Sequence, residues 1–141
     1  MAYRMCKFRN RRFYHVVNRG KNKQKVFFDE EDYGKFGELV GRFGKGRVEV
    51  VAYALLPNHY HFLLKQVGVD GVQKFMMILQ STYSCHLGRK VVSRKGRIFE
   101  GNFYASLIEG DKHFYNVLDY IVRNPARHKM SNLGLSGVSR K

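Results

Sequence analysis

The stretch from Arg47 to Gln66 holds two apolar runs separated only by Pro57-Asn58, a turn dipeptide. Residues 47–56 are rich in valine, alanine and leucine, and residues 59–66 begin His59-Tyr60-His61-Phe62-Leu63-Leu64. Both runs read as strands, and so short a connection makes them an antiparallel hairpin. Side chains alternate faces along a strand, so His59 and His61 project together. Two imidazoles packed into an apolar face without partners would be costly. Side by side on a rigid strand, they can instead hold one metal ion.

The flanking segments extend this hairpin into a fold. Residues 11–19 are aromatic and β-branched and predict a first strand, followed by a basic polar loop from Gly20 to Lys25. Asp29, Glu30, Glu31 and Asp32 suit a helix N-terminus. Tyr33, Phe36, Leu39, Val40 and Phe43 follow at helical spacing, with an end near Gly44-Lys45-Gly46. After the hairpin, Val72, Phe75, Met76, Leu79, Tyr83 and Leu87 recur at three- and four-residue steps, an amphipathic helix over about 71–89. Residues 97–108 should include a fourth strand. Asp111 is a candidate N-cap for a last helix carrying Phe114, Val117, Leu118 and Ile121. That helix must stop near Asn124, because Pro125 disfavours helical backbone in the residue before it. The order β-α-β-β-α-β-α is an α+β, ferredoxin-like split βαβ sheet with an additional C-terminal helix lying against it.

Charge narrows the partners. The chain has 141 residues, 44% of them hydrophobic, which suits one folded domain. Lys and Arg number 26 against 11 acidic residues, a net charge of +15, and nucleic acid is the first partner such an excess suggests. No apolar stretch is long enough to span a bilayer, and the basic N-terminus has no apolar core of a secretory signal. Cys6 and Cys85 form no paired motif, so no cysteine zinc site is expected, and a reduced cytoplasmic setting is the simplest reading.

Tyr120 and Asn124 stand one helical turn apart on one face of the last helix. A helix laid across the sheet could bring that face over His59 and His61. The assembled group would be two imidazoles, an amide oxygen and a phenol. The first three suffice to hold a divalent ion with open positions for phosphate oxygens, and such an ion acts as a Lewis acid on a phosphodiester. The phenol would be the nucleophile.

Here the chain resembles the HUH-type single-tyrosine transposases, in particular the branch that includes the REP-associated tyrosine transposases. The resemblance covers about residues 11–130. It is carried by Leu56-Pro57-Asn58-His59-Tyr60-His61-Phe62-Leu63-Leu64 and by Phe27-Phe28-Asp29-Glu30-Glu31-Asp32-Tyr33. Arg97-Ile98-Phe99-Glu100-Gly101-Asn102-Phe103 and Tyr120-Ile121-Val122-Arg123-Asn124-Pro125-Ala126-Arg127 complete it in the same order. One transposase domain is expected over residues 1–130, and residues 131–141 read as a flexible C-terminal tail. The resemblance implies Mg2+ or Mn2+ at His59, His61 and Asn124, with Tyr120 attacking single-stranded DNA. The products would be a 5′-phosphotyrosine bond and a free 3′-hydroxyl that later rejoins DNA. Hairpin-forming element ends are the implied substrates, and the implied assembly is a monomer or homodimer.

Two basic clusters interleaved with aromatics are candidate DNA contacts: Arg9, Arg11 and Arg12 before the first strand, and Arg94, Lys95 and Arg97 before the fourth. His15, His86, His113 and His128 are read as structural or exposed, and Tyr83 as core. Two alternatives share these features: a relaxase-like single-strand nuclease, and a non-catalytic nucleic-acid-binding module that stacks bases on sheet aromatics.

Overall fold

The computed structural model describes residues 8–91, 97–124 and 127–130. Five strands form one antiparallel sheet: β1 (Phe13–Arg19), β2 (Val48–Leu56), β3 (His59–Gln66), β4 (Tyr104–Leu107) and β5 (Arg127–Met130), in the order β4-β1-β3-β2-β5. The first four follow the split βαβ arrangement expected from the sequence, with β3 between β1 and β2. Helices α1 (Glu30–Gly44) and α2 (Gly71–Lys90) cover one face, and α3 (Gly110–Arg123) covers the other.

Alternation decides what each face receives. Tyr60, Phe62 and Leu64 of β3 join Tyr14 and Val16 of β1 beneath α1 and α2, where Phe36, Leu39, Phe75, Leu79 and Tyr83 are buried. Each such side chain removed from water contributes about 1.5–3 kcal/mol. The helix pair is also tied by charge. The buried Asp32 carboxylate accepts from His86 Nε2 and Lys90 Nζ, both at 2.9 Å. Burial alone would raise its pKa. The Lys90 and His86 hydrogen bonds and the Phe28 N–H outweigh that and hold it below the usual carboxylate range.

The opposite face is thinner. Val117, Leu118 and Ile121 of α3 pack on Val51, Ala52, Ala54, Leu63 and Ile108. A β-bulge makes this possible. Val50 pairs with Leu64 but Ala52 with Leu63, so Val51 is a surplus residue. Beyond it, bulky Tyr53 and Leu55 turn toward α1 and α2, and small Ala52 and Ala54 turn toward α3.

Several boundaries differ from the expectations. β1 begins at Phe13 because Arg11 adopts a left-handed backbone (φ +66°) while its N–H donates to Gln66 O at 2.7 Å. The loop after β1 contains a short 3-10 turn, Lys21–Lys23. β4 is only four residues, with Phe99 bridging separately to Gly20. Asp111 is not the N-cap of α3: the helix starts at Gly110, two residues earlier than expected, Glu109 is the cap, and Asp111 lies in the first turn. α3 does end before Pro125, with Asn124 extended (ψ 131°). β5, which pairs Arg127–Met130 with the outer edge of β2, was not anticipated. The proposed tail 131–141 lies outside the described residues.

Candidate active site

The odd-numbered residues of β3 face α3, which brings His59 and His61 to the centre of that side. Their rings are 5.2 Å apart between centroids and near perpendicular (78°). α3 carries Tyr120 over them, its ring edge-on to His61 at 5.2 Å. Tyr120 is 53% exposed and His61 is 7% exposed, so the phenol stands at the rim and the imidazole at the floor. All three line one cleft of about 520 Å³, together with Arg19, Lys23, Asn58, Glu100 and Tyr104 among others. A network behind the cleft fixes its wall. Asn18 Nδ2 donates to Gln80 Oε1 at 2.7 Å and to Gly101 O at 3.0 Å, and the Tyr60 hydroxyl donates to the same Gln80 oxygen.

Residues 9–124 match the family model described as IS200-like transposase. The chain belongs to that family. Among solved structures, a REP-associated tyrosine transposase bound to a REP hairpin shares the fold, with a TM-score of 0.72 and 17% identity over 89% of this chain and 73% of the other. A Deinococcus radiodurans protein described as a candidate transposase does so with a TM-score of 0.56 and 17% identity, over 87% of this chain and all of its own. No curated protein sequence matches at a significant level.

Electrostatics keep the transposase's imidazoles neutral. Burial pushes His61 down to about 4, with further lowering from His15 and His59. Burial likewise pushes His15 down to about 4, aided by His113. Burial and then the Arg19 charge lower His59. A neutral imidazole keeps one nitrogen lone pair available. At the cleft mouth, Arg19 makes a two-pronged ion pair with Glu100, Nε to Oε1 at 2.7 Å and Nη2 to Oε2 at 3.0 Å. Gly20 allows the loop beyond it to turn back tightly, since an added Cβ would run into the Gln24 carbonyl. That turn carries Lys23 to the cleft.

The residues singled out from sequence divide into three groups. His59, His61 and Tyr120 come together. Asn124, half-buried as the C-cap of α3 with its N–H donating to Ile121 O at 3.3 Å, is not among the residues lining the cleft. Among the described residues, no three His, Cys, Asp or Glu side chains form a metal-holding group. Arg9, Arg11 and Arg12 are exposed at the far end of β1. Arg11 and Arg12 border a second cleft of about 660 Å³ that also contains Lys65, Phe114 and Tyr115. Arg97 is exposed, its Nη1 donating to Glu100 O at 3.3 Å. Arg94 and Lys95 lie outside the described residues.

Sequence reasoning missed Arg19, Lys23 and Glu100 in the cleft, and it misread His15. His15 is not an isolated histidine: its Nε2 lies 3.2 Å from His61 Nδ1. The available signal was that a split βαβ order puts β1 beside β3. Which face of β1 joins which face of β3 depends on register, which no local pattern reveals. Among the described residues, no helix is long and apolar enough to cross a membrane.

Proposed function

We propose that this transposase cleaves and rejoins single-stranded DNA through a covalent link between Tyr120 and a 5′ phosphate. The Tyr120 oxygen attacks the scissile phosphorus, the bond to the 3′ oxygen breaks, and that oxygen leaves as a 3′-hydroxyl. A 3′-hydroxyl from the same or another strand then attacks the phosphotyrosine and releases the phenol. One phosphodiester bond is exchanged for another at each step, so no nucleotide cofactor is consumed.

His59 and His61 fit a divalent cation. Their imidazoles are neutral, they share one face, and the buried His61 Nε2 has no hydrogen-bond partner among the described residues. When bound, Mg2+ or Mn2+ would supply Lewis-acid polarisation of the phosphate, with Asn124 as a further candidate oxygen donor. Arg19 and Lys23 offer positive charge to the phosphate oxygens from the cleft wall. The flanking strand would follow Arg9, Arg11, Arg12, Arg94, Lys95 and Arg97. A relative of the same fold is bound to a hairpin, so hairpin-bearing element ends are the proposed substrates.

The observation that carries this reading is a half-exposed phenol in contact with a buried imidazole, in one cleft with a second imidazole. The base-stacking alternative is weakened because Tyr14, Tyr60 and Phe62, sheet aromatics that could serve as a platform, are sealed beneath α1 and α2. Incubation with labelled single-stranded DNA and Mn2+ should give an adduct that survives denaturation. Tyr120→Phe should abolish the adduct with DNA affinity largely retained, and His59→Ala should lose Mn2+ binding and cleavage together. An adduct persisting in Tyr120→Phe refutes the assigned nucleophile.

A further inference from the structure

β1 and β3 pair antiparallel, with Val17 opposite His61 and His15 opposite Leu63. His15 and His61 are therefore diagonal neighbours on the face beneath α3. Their rings stack nearly parallel (17°) with centroids 5.4 Å apart, and His15 Nε2 meets His61 Nδ1 at 3.2 Å. Between two neutral imidazoles only one of the facing nitrogens can carry the shared proton. If His15 donates, the His61 proton is forced onto Nε2, where a buried N–H would have no acceptor. If His61 donates from Nδ1, its Nε2 keeps an unshared lone pair.

His59 has the same arrangement with a different partner. Its Nδ1 lies 2.8 Å from Asn58 Oδ1, and an amide oxygen can only accept, so the His59 proton sits on Nδ1. The Asn58 amide is itself oriented by Nδ2 donating to Lys23 O at 3.3 Å. Two histidines on alternate positions of one strand thus each spend Nδ1 on a neighbouring acceptor. Outer partners of this kind are how proteins orient metal-binding imidazoles.

We propose that His15 and Asn58 are positioning residues that hold His61 and His59 as matched Nδ1–H tautomers, presenting both Nε2 lone pairs to one divalent cation. This rests on the cation reading of His59 and His61 given above. It adds a requirement that the two ligands alone do not make: a third histidine, on a different strand, that never touches the ion.

The test uses the full DNA-free chain. Long-range ¹H–¹⁵N NMR of the ¹⁵N-histidine protein reads each tautomer directly, and electron paramagnetic resonance of free Mn2+ gives affinity. In the wild-type chain, His59 and His61 should both be Nδ1–H. His15→Leu should shift His61 toward Nε2–H and weaken Mn2+ binding about 10–100-fold. His15→Gln, whose amide oxygen can accept where Nε2 did, should restore affinity to within a few-fold. Asn58→Ala should weaken Mn2+ and free the His59 tautomer, and Asn58→Asp should not. A wild-type His61 carrying its proton on Nε2 overturns the proposal even if His15→Leu fails to fold. So does unchanged Mn2+ affinity in a folded His15→Leu chain whose wild type binds Mn2+. A wild-type chain that binds no Mn2+ at all overturns the cation reading and this inference with it.

Discussion

Burial of the His15–His61 pair has a price in acid. Burial pushes both imidazoles down to about 4 in the folded chain, against an ordinary value of about 6.5. A depressed histidine pKa means that the unfolded chain binds more protons between those values, so stability is complete above about pH 6.5 and drains away toward pH 4. Two adjacent groups do not add fully, and the expected loss between pH 7 and pH 4 is on the order of 3 kcal/mol. Urea unfolding midpoints measured across that range should fall, and His15→Gln should flatten part of the slope. A midpoint independent of pH would contradict the burial argument. The His59–His61 pair was legible from sequence because parity within one strand depends on nothing outside it. Tyr120 was legible because its segment matches a family pattern as well as a helical face. His15 was not, since its meaning comes from a neighbouring strand. Arg19, Lys23 and Glu100 converge for the same kind of reason, through a tight turn and an isolated bridge that no periodicity announces.

At the level of elements, the Tyr120 phenol and the imidazoles ride on separate bodies, α3 and β3. β3 is the central strand, paired on both sides, and α3 rests on β2 and β3 through a few aliphatic side chains. Leu118 is 1% exposed at that contact, next to Val117 and Ile121. Leu118→Ala should cost about 2–5 kcal/mol, by lost transfer energy plus the cavity left behind. Because both imidazoles are carried by β3 and α3 offers the ion only the candidate donor Asn124, adduct formation should fall much more than Mn2+ affinity. Parallel assays of the two would show this, and equal losses would mean that α3 holds the ion as strongly as it places the phenol. The long elements were readable because α1, α2 and β3 each repeat a period over many residues. The short ones were not. β5 spans Arg127–Met130, four residues with no β-branched member, and its strand form comes from the edge that β2 offers. The start of α3 was misplaced because Asp111 looks like a cap, whereas Glu109 holds that position and its N–H donates to His113 Nδ1 at 3.0 Å.

For the whole molecule, a net charge of +15 on 141 residues makes binding to a polyanion strongly dependent on salt. If about five phosphates are neutralised, single-stranded affinity should fall roughly 100-fold between 50 and 200 mM salt, a log–log slope of about −3.5. Fluorescence anisotropy with a labelled oligonucleotide would measure it. A slope near zero would remove the basic surface from the account. Replacing Arg11 and Arg12 together should make the slope shallower by about one unit or slightly more. The overall topology followed from the sequence because each connection was short or helical, leaving few ways to order four strands. The β2 bulge did not, because one extra residue in an apolar run leaves no mark on composition.

Val51 bulges from the pairing of β2 with β3 as a surplus residue. Were it taken into the ladder as an ordinary residue instead of bulging, every side chain after it in the ribbon would swap sides. Tyrosine and leucine would then crowd the space where the last helix must settle, and the alanines would leave hollows under the other pair. The distance at which the phenol hovers above the histidines is thus governed by a hiccup in a strand that contributes no reacting atom.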